Sequence, residues 1–262
     1  MVKVFIRKIY AQVYGFLYYA GELSILFGQT VRCLLSTPLH PYRFLWQARR
    51  VGLGSVFIAS LVGLSVGMII ALQMAYMMVK LSAEIYIPNV IAVSIARELG
   101  PVLTALIVAG RIGAGITAEI GTMVVTEQID ALRAFAVDPI RYLVAPRFLA
   151  LVIMLPVLTL FAVIVGIFGG FLICFFKLSI SAYMYWEMVK ESLVIKDIVT
   201  GLTKTVFFGM IIAIVGCYEG LHVKGGADGV GASTTLAVVR SFILIILFDC
   251  LFTFVFYFLF NA

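Results

Sequence analysis

Two stretches of this chain run for 29 positions without a charged residue, 51–79 between Arg50 and Lys80 and 148–176 between Arg147 and Lys177. A helix rises about 1.5 Å per residue, so either stretch exceeds the ~20 residues needed to cross the hydrocarbon core of a bilayer. Segments 89–110, 198–218 and 236–260 are also long enough to cross but carry one or two charges each, which brings the expected number of crossings to five. The runs are continuously apolar and do not alternate in segments of about ten residues. That selects helices, which bond every backbone group internally, over an outer-membrane barrel. The expected fold class is an all-α integral membrane protein: five transmembrane helices, an N-terminal interfacial helix before them, and one short helix outside the membrane. A composition of 63% hydrophobic and 12% charged residues fits no ordinary soluble domain.

Residues 1–50 read as a separate N-terminal region and 51–262 as the membrane domain. The N-terminal region mixes aromatic and aliphatic residues with Lys3, Arg7, Lys8, Glu22 and Arg32 and has no signal-peptide cleavage pattern. It suits a helix lying in the membrane interface, with a sixth, weakly apolar crossing as the competing reading. Five crossings put the termini on opposite sides. Residues 1–50 and the segments after the second and fourth crossings carry twelve Lys and Arg, whereas the other side receives only Lys80, Lys177, Lys190 and Lys196. The positive-inside bias therefore places the N-terminus in the cytoplasm, together with residues 126–143 and the glycine-rich 220–233, expected to be a flexible turn. It also accounts for the net charge of +6, leaving no basic stripe for nucleic acid.

Charges inside the crossings are costly, about 2.5–3.5 kcal/mol or more each, and must be compensated. Arg97, Glu98, Lys204 and Asp249 fall at a similar depth, about 12–16 Å from the outer surface, and their charges sum to zero. The expectation is one neutral cluster shared by three helices beneath an outward cavity. A salt-bridge network that only sets helix register is the competing reading. On a helical wheel Arg97, Arg111 and Glu119 share one side of the second crossing, which at residues 89–126 would be about 57 Å long and so must break or project. Small residues four apart (Gly63 and Gly67, Gly166 and Gly170, Gly216 and Gly220) mark close helix packing.

Several motifs fail. "GAGITA" at 113–118 imitates a dinucleotide fingerprint but lies inside a membrane helix without a preceding strand, and no GxxxxGK[ST] is present to cradle ATP phosphates. No nucleophile elbow or HExxH occurs, so an enzyme acting alone is not expected. Cys33, Cys174, Cys217 and Cys250 lack metal spacing and His40 and His222 are isolated, so no metal site is expected. Residues 126–138 are more informative. Thr126 is placed to cap a short helix with Glu127 and Asp130 in its first turn and Pro139 as its stop, and Ile129, Leu132 and Ala136 form one stripe. Such a helix docks a soluble partner or rests on lipid headgroups.

The run "RELGPVLTALIVAGRIGAGITAEIGTMVVTEQIDALRAFAVDPIRYLVAPR" resembles the signature of the MlaE-type permease family, with "RELGP", "AGR", "TAEIGTM", "TEQIDAL" and "VDP…PR" in order, and the likeness covers nearly the whole chain. The resemblance implies the membrane subunit of an ATP-driven phospholipid transport system. In Gram-negative bacteria it would link the inner membrane to a periplasmic MCE-protein carrier and maintain outer-membrane lipid asymmetry. It further implies a homodimer, a cytoplasmic ABC ATPase that binds ATP and Mg, a STAS-domain subunit, and a periplasmic MCE-domain hexamer. No cofactor is expected in this chain itself. By the same resemblance, 126–138 is a coupling helix whose Glu127, Gln128, Asp130 and Arg133 meet the ATPase, and Arg97, Glu98, Lys204 and Asp249 lie below a lipid cavity. Ile70, Met74, Met77, Met78 and Leu81, at helical spacing, are its expected wall. A structural anchor for the MCE assembly and a proton-coupled secondary transporter are the alternatives.

Overall fold

The computed structural model describes residues 2–36 and 41–261, and among them no strand occurs. His40 lies outside the described residues, as do the side chains of Lys3, Arg7 and Lys8. The long helix α1 (Val2–Ser36) is followed by α2 (Pro41–Met78). Two 3-10 turns lead into a composite second span made of α3 (Ile87–Ser94), α4 (Gly100–Val108) and α5 (Ala114–Val125), joined by π-helical turns at Ile95–Leu99 and Ala109–Gly113. The short α6 (Gln128–Ala134) and a third π-turn at Ile140–Val144 precede α7 (Ala145–Leu178), α8 (Ala182–Ser192), α9 (Ile195–Leu221) and α10 (Gly226–Asn261). Among the described residues five helical stretches are long and apolar enough to cross a membrane: Pro41–Leu81, Glu84–Val125, Ile140–Leu178, Ile195–Leu221 and Gly226–Phe258. α1 is not one of them.

The glycine pairs bring backbones together as their spacing predicts. A Cβ on Gly67 would sit 1.8 Å from the Gly166 carbonyl oxygen, and one on Gly63 would sit 2.5 Å from that of Ala162, so α2 and α7 touch main chain to main chain. The pattern repeats where Thr117 donates to the Gly216 carbonyl (3.0 Å), clamping α5 to α9. Around these contacts lie two apolar cores. One joins α4, α5, α7 and α9 through Val108, Ile120, Leu151, Leu155, Phe208 and Ile212; the other joins α3, α7 and α8 through Ile87, Ile91, Cys174 and Tyr185.

The structure decides or corrects three expectations. Of break or projection, the second span does not break; it continues as 42 residues from Glu84 to Val125, longer than the ~30 Å hydrocarbon core needs, through its π-turns. Pro101 explains the first of them, because it has no N–H to give the Arg97 carbonyl and its ring crowds that position, so Gly100 bonds back five residues to Ile95 instead. The flexible turn expected over 220–233 is confined to the residues around Gly225, which has φ 92°, since α10 begins at Gly226. The third is α8, a second short helix outside the five long stretches where only one was expected. Ser181 caps it by accepting from the Met184 N–H (3.3 Å), and the buried Tyr185 hydroxyl donates to the Ile167 carbonyl (2.8 Å). Burial holds the Tyr185 phenol above its ordinary range, so it stays a donor.

Candidate functional site

Lys204 stands about 14 Å along α9 from its start and is fully buried. Its ammonium donates three hydrogen bonds, to Glu98 Oε2 (2.5 Å), Asp249 Oδ1 (3.0 Å) and Thr253 Oγ1 (2.7 Å). All three ammonium protons are thereby used, and one lysine ties the second, fourth and fifth spans together. Thr253 also lies 3.2 Å from both Glu98 oxygens. The burial is one-sided. Lys204 is enclosed, whereas the Glu98 side chain keeps 37% of its surface exposed, so the carboxylate side of the cluster opens at the edge of the bundle.

Three of the four expected charges meet; Arg97 does not join them. It faces Asp197, two turns before Lys204 on the same side of α9, at 3.6 Å and in a partly exposed setting. Opposite charges at adjacent positions of a helix point about 100° apart, so Arg97 and Glu98 serve different partners. The Lys204 group is thus one cation against two carboxylates, and the Arg97–Asp197 pair lies beside it. Sequence reasoning missed Asp197 and Thr253. Thr253 is four residues after Asp249 and Asp197 seven before Lys204, spacings that place each on its neighbour's face and could have revealed both.

The single polar side expected for the second span is also absent. Arg97 faces Asp197 on α9, but Glu119 faces α2 and α7, where it accepts from Arg50 (2.6 Å) and forms an ion pair with Arg147 (2.9 Å). Arg111 reaches Ser55 on α2 (3.3 Å). Each π-turn inserts a residue into the helical count and rotates the side chains beyond it, which a uniform 100° wheel ignores. At the same end of the bundle as Glu119, the buried Glu219 is held by Arg240 and by the Tyr19 hydroxyl (2.8 Å), fastening α1 to α9 and α10. We call this the basic end.

The expected cavity residues divide. Ile70, Met74 and Met78 pack partly buried against the Ile87 and Ile91 core, while Met77 and Leu81 are exposed. The expected docking helix is shorter than 126–138. Thr126 does not cap it, since its hydroxyl bonds back to Thr122, and Glu127 occupies the N-cap in a left-handed conformation (φ 59°). The helix ends at Ala134 and Ala136 turns out of it (φ 57°), so Ala136 leaves the Ile129 and Leu132 stripe. Ile129 is buried, and Glu127, Gln128, Asp130 and Arg133 are all exposed, with Asp130 and Arg133 paired at 3.2 Å. Among the described residues no group of metal-ligating side chains occurs.

Residues 44–255, which hold the Lys204 cluster, the π-turns and α6, match the family described as Permease MlaE. The chain belongs to the MlaE permease family. It is 40% identical over 244 residues to a probable ABC transporter permease protein of Rickettsia typhi, covering 89% of this chain and 94% of that protein. It is 34% identical over 258 residues to the intermembrane phospholipid transport system permease protein MlaE of Haemophilus influenzae, covering 97% of both. The chloroplastic protein trigalactosyldiacylglycerol 1 of Arabidopsis thaliana is 38% identical over 228 residues, or 87% of this chain and 65% of that protein. Membership of the MlaE permease family makes the chain a multi-pass transport subunit rather than an enzyme.

Proposed function

We propose that the chain is the permease of an ATP-driven phospholipid transport system between the bacterial inner membrane and a periplasmic MCE-protein carrier, serving outer-membrane lipid asymmetry. The observation that carries this reading is the cluster around the fully buried Lys204 inside the spans, in a chain alike end to end to a relative named for intermembrane phospholipid transport. Intramembrane ionisable groups of this kind mark substrate paths and coupling elements.

In this reading two copies pair, and the lipid chamber lies between them above the open side of the Lys204 cluster. The exposed Met77 and Leu81 face the chamber, with Ile70, Met74 and Met78 behind them. Apolar exposure along α10, including Leu236, Val239, Ile243, Ile246 and Phe254, supports pairing there. α1 lies in the interface with the N-terminus cytoplasmic. α6 presents Glu127, Gln128, Asp130 and Arg133 to a partner ABC ATPase, which binds ATP and Mg. A STAS-domain subunit and an MCE-domain hexamer complete the assembly. Closure of the ATPase pushes α6, and with it the second and third spans, so that the chamber narrows and acyl chains move toward the carrier.

ATP dependence tests this proposal. Transfer of a fluorescent phospholipid by the reconstituted complex is expected to stop when the partner ATPase is inactivated, and Arg133→Glu is expected to uncouple hydrolysis from transfer. Transfer that follows an imposed proton gradient and ignores the ATPase would contradict it.

A further inference from the structure

A second charged site lies far from the Lys204 cluster, since Glu98 and Glu119 are separated by about 30 Å of helix. At the basic end, the start of α2, the end of α5 and the turn before α7 enclose a cleft of about 320 Å3 lined by Tyr42, Arg43, Trp46, Glu119, Tyr142 and Arg147. That volume is within the ~300–1,000 Å3 range of small-molecule sites.

Its charge is not balanced. Among the described residues Glu119 is the one carboxylate lining the cleft, and both of its oxygens are engaged, by Arg50 and by Arg147. The lining thus holds two guanidiniums, Arg43 and Arg147, against one carboxylate that Arg50, outside the lining, also shares. Arg147 is 96% buried by side chain (4% exposed), and although its Nη1 donates to the Leu143 carbonyl (2.8 Å), its buried Nε has no hydrogen-bond partner among the described residues. A buried guanidinium is costly unless negative charge compensates it, and Arg147 shares the one carboxylate of Glu119 with Arg50. Arg43 is held in place by stacking 3.7 Å over the Tyr142 ring, and the half-exposed Trp46 stands at the rim, as aromatic residues do at the level of lipid headgroups.

We propose that this cleft binds a phosphate group, and that the phosphate belongs to a membrane phospholipid held at the basic end as a resident ligand, distinct from transported lipid. Guanidinium forks match phosphate oxygens, and the aromatic rim accommodates the glycerol and the first acyl carbons. A phosphate here adds the missing negative charge at the point where the first, second and third spans are fastened through Glu119, so its binding steadies that junction.

The protein has two tryptophans, so a full-length Trp186→Phe chain leaves Trp46 as the single tryptophan, at the cleft. In an uncharged detergent, brominated phosphatidylglycerol is expected to quench Trp46 saturably, and Arg43→Ala is expected to weaken that binding about tenfold. Brominated diacylglycerol, with the same chains and no phosphate, is expected not to saturate. Equal quenching by diacylglycerol, or an unchanged curve in Arg43→Ala, would overturn the phosphate site. Displacement of the brominated lipid by millimolar inorganic phosphate would assign the cleft to a soluble anion and overturn the lipid as its source. Arg43 is the residue to change because Arg147→Ala would also strand Glu119 and disturb folding.

Discussion

Lys204 and Arg97 show how two intramembrane cations of similar sequence setting differ once their surroundings are known. Lys204 has no exposure and two carboxylates within 3.0 Å, whereas Arg97 is 41% exposed by side chain and 3.6 Å from one. Removing the first leaves Glu98 and Asp249 facing each other uncompensated. Lys204→Ala is therefore expected to cost about 3 kcal/mol, the low end for a broken buried pair because Glu98 is partly open. Arg97→Ala is expected to cost no more than about 1 kcal/mol. Thermal unfolding in detergent, followed by intrinsic fluorescence, separates the two; equal losses would refute the asymmetry. The sequence disclosed the charges and their common depth, because depth is obtained by counting residues at a fixed rise. It did not disclose that Arg97 turns to Asp197, because direction around a helix depends on phase, and phase is altered by the π-turn that contains both Arg97 and Glu98.

At the scale of the elements, length and hydropathy located all five crossings, and glycine spacing located the contact of α2 with α7. That contact sets a sharp expectation. Gly67→Ala forces a methyl group against the Gly166 backbone and is expected to destabilise the protein by about 1–3 kcal/mol. Gly115→Ala, with nothing within 4 Å of the new carbon, is expected to be neutral or slightly stabilising. Matching losses in the two variants, measured by the same unfolding assay, would show that the α2 and α7 backbones are not in contact. Short elements were less legible. α6 is shorter than its polar pattern suggested because Glu127 and Ala136 both take left-handed conformations that no propensity announces. α8 went unread because its amphipathic eleven residues are stabilised by packing against α3, a tertiary effect.

For the whole molecule, the two ends of the bundle are built differently. At the basic end, Glu119 and Glu219 are each gripped by an arginine and a second donor, which fastens α1, α2, α5, α7, α9 and α10 into one frame. Toward the other end a single lysine joins three spans, and its carboxylates open to the edge of the bundle. In the proposed function the partner ATPase acts on the fastened end and lipid is loaded toward the other, so the Lys204 group is the part that bears on transport. The measurement that bears on this most directly is phospholipid transfer by reconstituted complexes carrying Glu98→Gln or Lys204→Met, with subunit stoichiometry determined on the same preparations. Transfer is expected to fall roughly tenfold or more while the assembly and its ATPase subunit are retained. Unimpaired transfer, or a loss that simply tracks loss of assembly, would show that the cluster holds the helices together and takes no part in moving lipid.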